Sequence, residues 1–373
     1  MNHPSTRRSG PTRRPRPSRL LVFGVAVITL VAACADAGRI QPVTPAGAVA
    51  ATAGPAVTTT AGPAVATPAS AVPLTSAVPP VSASSAPGVT PAAVAAPVPS
   101  PTPDPTLALA ATAVPHFKHV YLIVMENREY GSIVGSAKAP YINSLIHRYA
   151  LATSFRAVSH PSEPNYIALF SGSTQGVTDD GVHDLAGRNL ADQLGPHGVS
   201  WHVFAENVPL GCYTGATASG GPDGSGTYAR KHEPAISFTS ISSKPTRCAK
   251  ISDFSHFSPS AARFELIVPN MCHSMHDCST ATGDAWLKSF VPKLLKSPAM
   301  KGSVLFITWD EGTTGLGGGG HIATLVIGPT VKRGYRSSIR HTHYSLLRTI
   351  ESGFGVGCLN KSCSANTLRE FFR

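Results

Sequence analysis

Short, mainly apolar runs alternate with amphipathic stretches along the C-terminal two-thirds of the chain. The runs cover residues 120–125, 201–204, 264–268, 304–308 and 322–327. Runs of this kind are typical of strands that are buried on both faces of a parallel sheet. The stretches 140–149, 284–295 and 343–351 predict helices between or after these strands. The alternation predicts an α/β fold, a central and mostly parallel sheet flanked by helices, with its active site beyond the carboxyl ends of the strands.

The first 34 residues have the features of an export signal. Six arginines from Arg7 to Arg19 precede an apolar run, residues 20–33, that is short for a membrane span. The run ends in Leu-Val-Ala-Ala before Cys34, which resembles a bacterial lipoprotein signal with Cys34 as the lipidated residue. Cleavage after a small-residue site at 35–37 is the alternative. We therefore expect an exported protein, either a cell-envelope lipoprotein or a secreted form.

Residues 35–115 consist mainly of Ala, Pro, Thr, Val and Ser, with near-repeats at 52–57 and 60–65. This composition cannot form a core and predicts an extended tether between the envelope anchor and a folded domain. Residues 116–373 have the length of one folded domain with a single core. Within it, the Gly-, Ser- and Pro-rich stretch 206–262 predicts a long excursion over the site.

The net charge of +11 overstates the basicity of this domain, because seven arginines and two aspartates precede His116. The remaining charge of about +6 favours anionic substrates by electrostatic steering. No run of Lys and Arg is interleaved with stacking aromatic residues, so we expect no nucleic-acid partner. We expect the domain to act as a monomer.

Six cysteines follow Cys34, an even number that suits disulfides in an exported chain. The short spacings suggest Cys272–Cys278 and Cys358–Cys363, which leaves Cys212–Cys248. A zinc–thiolate site is the competing interpretation, and the absence of any Cys-x-x-Cys pair in the sequence argues against it.

The stretch 160–166 reads His-Pro-Ser-Glu-Pro-Asn-Tyr. It predicts a tight turn followed by a helix that opens at Pro164, where a missing N–H costs nothing. Ser162 would then lie at a helix N-terminus, where free N–H groups and the helix dipole favour a bound anion. A serine in this position more often caps the helix, so the stretch alone favours a cap.

Polar side chains follow several predicted strands. Glu126 and Asn127 come directly after the first strand, and Asp310 and Glu311 follow the strand at 304–308. Carboxylate and amide oxygens converging from neighbouring parallel strands are suited to a hard cation. Other candidate groups at strand ends or in the excursion are Lys231, His232, His276, His321 and His343. Each has an ordinary structural explanation, but together with Ser162 they indicate an active site.

These motifs together, in this order, resemble the phosphoesterase family of bacterial acid phosphatases and phospholipases C, within the alkaline-phosphatase-like superfamily. The compact domain looks most like the secreted mycobacterial acid phosphatases. The resemblance implies that Glu126, Asn127, Asp310 and Glu311 hold one divalent metal cation and that Ser162 is the nucleophile. It implies further roles for two sets of residues: His232, His276 and His321 in catalysis, and Asn165, Lys231, His160 and His343 in substrate binding.

The sequence therefore predicts an exported acid phosphomonoesterase. Its expected substrates are small-molecule or lipid phosphate esters, including phosphoinositides, and the reaction is expected to pass through a phosphoserine at Ser162. A phospholipase C that cleaves lipid phosphodiesters is the first alternative. A catalytically inactive envelope lipoprotein that displays the fold as a binding surface is the second.

Overall fold

The structure is a computed structural model that describes residues 113–220 and 226–373. The predicted export signal, Cys34 and the tether up to residue 112 lie outside the described residues, so those hypotheses and the start of the domain at His116 stay predictions. Within the described part of the chain, no helix combines the length and apolarity needed to cross a membrane.

Eleven strands are present among the described residues. They are β1 (Val120–Met125), β2 (Ala150–Arg156), β3 (Trp201–Ala205), β4 (Thr217–Ala218), β5 (Tyr228–Ala229), β6 (Ile251–Ser252), β7 (Phe264–Val268), β8 (Val304–Trp309), β9 (His321–Ile327), β10 (Arg336–Ser337) and β11 (His341–Thr342). The five predicted strands correspond to β1, β3, β7, β8 and β9.

Nine of these strands form one sheet in the order β10-β2-β9-β8-β1-β7-β3-β6, with β11 also paired to β2. Strand β9 is antiparallel to both of its neighbours, and all the other pairs in this sheet are parallel. The first residues of β9 therefore lie at the same edge as the carboxyl ends of β8 and β2. The predicted α/β class with a mostly parallel central sheet is confirmed.

The α-helices are α1 (Tyr130–Ile133), α2 (Pro140–Arg148), α3 (Ser162–Ser171), α4 (Leu190–Leu194), α5 (Thr239–Ser242), α6 (Pro245–Cys248), α7 (Thr280–Lys296) and α8 (His343–Phe354). Short 3-10 helices cover Gly195–His197, Arg230–His232, Pro234–Ser237, Phe254–His256, Pro298–Met300, Leu316–Gly318, Asn360–Ser364 and Arg369–Phe371. Helix α7 begins four residues before the predicted helix because Ser279 caps it, accepting a hydrogen bond from the Thr282 N–H.

The core is formed by the central strands and the helices that cover them. All six residues of β1 and all six of β8 are buried, so both faces of the sheet are covered at its centre. Helix α2 packs against α7, and α3 packs against α8. The predicted disulfides Cys212–Cys248, Cys272–Cys278 and Cys358–Cys363 are all formed.

Glu265 on β7 gives the fold a pH dependence that can be measured. Its carboxyl group is fully buried, and Oε1 accepts one hydrogen bond, from the Ala262 N–H at 3.1 Å. Burial raises the pKa of Glu265 to about 8. The folded state thus holds a proton that the unfolded state releases near pH 4.5, so the free energy of unfolding falls as pH rises from about 5 to 8.

We expect Glu265→Gln to remove this part of the pH dependence, about 1 to 3 kcal/mol between pH 5 and pH 8. Denaturant unfolding at several pH values measures it. Asp179→Asn, which changes a carboxylate that is 71% exposed, is the control and should leave the slope unchanged. A slope that is the same in Glu265→Gln and the wild type would show that Glu265 is ionised in the folded state.

Candidate active site

The first half of the site follows from the register of two central strands. In the β1–β8 pair, Met125 lies opposite Trp309, so the residues that follow them, Glu126 and Asp310, leave the sheet side by side. The Asn127 N–H donates to Asp310 Oδ1 at 3.0 Å and ties the two strand ends together. Asn127 adopts a left-handed backbone conformation, with φ 45°, which asparagine tolerates better than most residues. The two predicted acidic motifs therefore converge at one point.

Ser162 lies above this point at the start of helix α3. Its side chain is 1% exposed, and its hydroxyl can donate to Glu126 Oε2 at 3.2 Å or to Glu311 Oε1 at 3.3 Å. The helix begins at Ser162 itself, two residues before the predicted start, and Pro161 occupies the N-cap position. The hydroxyl therefore does not cap the helix. It faces the carboxylates instead.

Asn165 has a different role from the predicted one. Its Oδ1 accepts hydrogen bonds from the N–H groups of Val158 and Ser159, and its Nδ2 donates to the carbonyl groups of Ser159 and Pro161. These four bonds use its amide donors and acceptors, and the side chain is 1% exposed. We therefore assign Asn165 to holding the loop before Ser162, in place of substrate binding.

Two imidazoles and a lysine form the other wall. His232 Nε2 lies 3.4 Å from Glu126 Oε2, and its ring stacks on Tyr166, whose hydroxyl donates to Glu126 Oε1. The His276 ring lies 5.5 Å from the His232 ring, and His276 Nε2 is 3.4 Å from Lys231 Nζ. The excursion after β3 thus brings Lys231 and His232 over the site, as its position in the sequence predicts.

His160 lies at the outer rim, 38% exposed. Its Nδ1 contacts Glu311 Oε2, and its Nε2 is 2.9 Å from the Thr314 carbonyl oxygen. Burial lowers the pKa of His160, but the Thr314 carbonyl and the Glu311 carboxylate outweigh it, so the pKa is raised overall. His160 therefore orients Glu311 toward Ser162.

The structure does not bring the side chains of His321 and His343 to Ser162. His321 stacks on Tyr130 with ring centroids 4.2 Å apart, and its Nε2 is 3.0 Å from the Thr153 carbonyl oxygen. His343 is fully buried, with Nε2 2.6 Å from the Asp310 carbonyl oxygen. Both residues stand at the predicted edge, and a ring nitrogen of each contacts a main-chain carbonyl oxygen. The predicted roles of His321 in catalysis and His343 in substrate binding stay predictions.

The carboxylates of the site repel each other. Burial, and then the neighbouring Asp310, raise the pKa of Glu126 well above its usual value. Burial, and then the charge of Glu311, raise the pKa of Asp310 to about 7. Burial also raises the pKa of Glu311, although His160 opposes the shift. Three carboxylates crowded in this way favour a positive ligand, since only a nearby cation relieves the cost of ionising all of them.

Unpaired atoms show where such a cation fits. Among the described residues, Asn127 Oδ1, Asp310 Oδ2 and His232 Nε2 are buried without a hydrogen-bond partner. Glu126, His232 and His276 each offer one ligand atom, and these atoms lie within 4.8 Å of one another. Two possible ligand sets therefore share Glu126: an oxygen-rich set with Asn127 and Asp310, and a set with two imidazoles. The chemistry of either set suits a divalent cation.

Two residues of this site are missing from the predicted set. Tyr166 lies in the quoted stretch 160–166, and one helical turn after Ser162 it would face the same side, which is a signal that spacing offers. Asp180 accepts from the Glu163 N–H at 2.9 Å and from Lys231 Nζ at 2.8 Å, so it joins helix α3 to the excursion. Asp180 stands in a loop far from any strand end, and no pattern in the sequence marks it.

Comparison with known proteins gives the family. Residues 136–357, more than half of the chain, match the model described as the Phosphoesterase family. The chain belongs to this family. The predicted resemblance is confirmed, and the chain is a phosphoesterase, a hydrolase of phosphate esters.

Named relatives of the phosphoesterase are phosphatases. It is 36% identical over 260 residues to the phosphatidylinositol-3-phosphatase of Mycobacterium tuberculosis, and the match covers 68% of this chain and 82% of that protein. An acid phosphatase of Aspergillus fumigatus is 28% identical over 264 residues, which cover 68% of this chain and 58% of that protein. Among solved structures, a protein in the alkaline phosphatase superfamily from Vibrio parahaemolyticus has a TM-score of 0.48 and 12% identity, covering 69% of this chain and 71% of that chain.

Proposed function

We propose that this phosphoesterase is an exported acid phosphomonoesterase that works through a phosphoserine at Ser162. One observation carries the proposal: the Ser162 hydroxyl is buried within hydrogen-bond reach of two carboxylates whose pKa values are raised. A hydroxyl held by such bases, at a helix N-terminus that faces a lysine and two imidazoles, suits attack on a phosphoryl group.

In the first step a bond forms between Ser162 Oγ and phosphorus while the bond from phosphorus to the alcohol oxygen breaks. The hydroxyl proton passes to Glu311 or Glu126, the two carboxylates within hydrogen-bond reach of the Ser162 hydroxyl. The departing alcohol oxygen takes a proton from His276. Water then attacks the phosphoserine and gives a proton to His276, while the bond from phosphorus to Ser162 Oγ breaks and Oγ takes its proton back from the carboxylate, which releases phosphate and restores the site.

Lys231 supplies positive charge for the phosphoryl oxygens, and the imidazoles of His232 and His276 can donate hydrogen bonds to them. Asp180 holds Lys231 at 2.8 Å, and Asp277 Oδ1 lies 2.7 Å from His276 Nδ1, so both groups are positioned before substrate arrives. The names of the acid phosphatases among the relatives support an acidic optimum.

We propose that one divalent cation is held by Glu126, Asn127, Asp310 and Glu311. When bound, it would polarise a phosphoryl oxygen and lower the pKa of the attacking hydroxyl. The unpaired Oδ1 of Asn127 and Oδ2 of Asp310 support this set. If these four residues hold the ion, His232 and His276 stay free to contact the phosphoryl group. The alternative is that the ion lies between Glu126, His232 and His276.

We infer that phosphate monoesters, with phosphoinositides among them, are the substrates. The name of the Mycobacterium tuberculosis relative supports phosphoinositides, and the names of the fungal relatives support acid phosphatase activity. Export rests on the arginine-rich start and the apolar run before Cys34. A phospholipase C acting on phosphodiesters remains the second candidate.

The test is phosphate release by the full chain, chelated and then resupplied with divalent metals. The substrates are p-nitrophenyl phosphate, phosphatidylinositol 3-phosphate and phosphatidylcholine. We expect free phosphate from the two monoesters, fastest at acid pH, and no phosphocholine from the diester. Phosphocholine release would identify a phospholipase C. Folded, metal-supplied protein that cleaves none of the three would favour the inactive binding lipoprotein.

A further inference from the structure

One edge of the sheet beside the site carries exposed arginines without acidic partners. Arg156 ends β2, Arg336 begins β10, and Arg340 precedes β11, the two short strands that pair with β2. Arg336 and Arg340 are exposed, and none of the three forms an ion pair with any described residue. Burial first, and then the charge of Arg340, lower the pKa of Arg156, so these two guanidinium groups are close enough to repel.

The acid that faces Arg156 is Glu129, and its oxygens are already occupied. They accept hydrogen bonds from the N–H groups of Thr313, Thr314 and His321. Glu129 therefore stabilises the loop before β9 through these hydrogen bonds, and it does not form a salt bridge with Arg156. The other acid at this edge, Glu370, pairs with His341 and accepts from the Ser337 hydroxyl. Three arginines therefore face two carboxylates, and the edge keeps a net positive charge.

Exposed aliphatic side chains flank the same arginines. The described residues include four large hydrophobic side chains that are clearly exposed, and two of them are Leu316 and Ile339, which are 53% and 48% exposed. Ile339 precedes Arg340. Leu316 precedes Gly317, where a Cβ atom would come within 2.9 Å of the Arg156 Cβ. We call Arg156, Leu316, Arg336, Ile339 and Arg340 the basic edge.

Residues 338–340 of this edge form a bulge relative to β2. Ser337 pairs with Ala152 and His341 with Phe155, so three residues, 338–340, stand opposite two residues of β2. An extra residue of this kind makes the strand bulge. Ile339 and Arg340 lie in the bulge, away from the layer of buried residues that continues at His341.

The basic edge adjoins the loop that leads to Ser162. A Cβ atom at Gly318 would lie 2.5 Å from the Val158 carbonyl oxygen, and one at Gly319 would lie 2.2 Å from that of Ser159. The loop that carries Leu316 is therefore packed on the residues just before the nucleophile. A surface that binds Arg156 and Leu316 therefore lies next to the loop before Ser162, while Arg336, opposite Leu151, lies nearer the start of β2.

We propose that the basic edge docks this enzyme onto an anionic lipid bilayer. Guanidinium groups with no acidic partner are attracted to a negatively charged surface, and aliphatic side chains between them can enter the boundary of the acyl region. A polyanion in solution would use the charges but would leave Leu316 and Ile339 in water. This inference goes beyond the proposed function, because docking does not depend on which ester is hydrolysed.

The test is co-sedimentation of the full chain with vesicles of equal parts phosphatidylglycerol and phosphatidylcholine, and with pure phosphatidylcholine. We expect Arg336→Ser/Arg340→Ser to bind the anionic vesicles about 30-fold more weakly than wild type, at about fivefold for each charge removed near the surface. Ile339→Asp should weaken binding as well. Unchanged hydrolysis of p-nitrophenyl phosphate by the variants shows that they are folded.

Lys244→Ser/Lys250→Ser is the matched control. It removes two positive charges just before β6, the strand at the other end of the sheet from β10, and should bind like wild type. Equal losses in the two double variants would attribute binding to net charge and overturn the proposal. Wild-type binding by Arg336→Ser/Arg340→Ser, or a wild-type chain that binds both vesicles equally, would overturn it too.

Discussion

Replacing Ser162 with alanine should lower phosphate release by at least about a thousandfold while leaving the fold intact. The hydroxyl makes the bond to phosphorus in the proposed mechanism, and loss of a nucleophile removes a whole covalent step. The change removes one buried oxygen whose hydrogen bonds go to Glu126 and Glu311. These carboxylates keep other contacts, to Tyr166 and His160 respectively, so we expect little loss of stability.

A second measurement separates a nucleophile from a residue that only binds substrate. Wild-type protein mixed with a labelled phosphate monoester and denatured at once in acid should retain label as phosphoserine, and peptide mapping should place the label at Ser162. Ser162→Ala should retain none. If Ser162 only orients a water molecule, neither protein will be labelled, although the variant will still be slow.

Ser171→Ala is the matched control for this experiment. Ser171 lies at the other end of the same helix and is also buried, and its hydroxyl can donate to the backbone carbonyl group of Ile167 or of Ser173. It should keep wild-type activity and labelling. Full activity in Ser162→Ala would refute the nucleophile assignment.

The strands that sequence reasoning located are the ones buried on both faces. β1, β7 and β8 have continuous apolar runs because helices cover both sides of the sheet at its centre. The edge strands β6, β10 and β11 are two residues long, and pairing with a neighbour alone defines them. Strands of two residues leave no apolar pattern in the sequence. The position of the basic edge could therefore not be predicted from the sequence.

The residues of the candidate site could likewise be predicted only in part. Residues that directly follow central strands, such as Glu126 and Asp310, could be placed together because register fixes where parallel strands end. Whether an imidazole at that edge turns inward depends on its rotamer and neighbours: Tyr130 and the Thr153 carbonyl hold His321 away from Ser162. Long-range partners such as Asp180 depend on the path of the excursion, which composition does not determine.

Asp310→Asn is expected to abolish metal binding and to lower activity by at least about a hundredfold, since it removes a negative charge from the ligand set. The new amide keeps an oxygen that can accept from the Asn127 N–H, so the contact between the strand ends is preserved. Metal content after dialysis reports binding directly. Thermal unfolding reports it independently, because a metal at a hundred times its Kd stabilises the folded state by about 2.7 kcal/mol.

His276→Asn decides between the two ligand sets. If the ion lies with Asn127 and Asp310, this variant keeps its metal and its metal-dependent rise in Tm, and loses activity because His276 no longer protonates the leaving alcohol. If the ion lies between Glu126, His232 and His276, the same variant loses its metal and Asp310→Asn retains it.

Asp284→Asn is the control for these variants. Asp284 is a buried carboxylate that accepts hydrogen bonds from the backbone N–H groups of Tyr141 and Ile142, and its variant should keep the metal. Wild-type protein that stays fully active after exhaustive chelation would rule out both sets, and the charge of Lys231 and hydrogen bonds from the imidazoles would then have to stabilise the transition state without a metal.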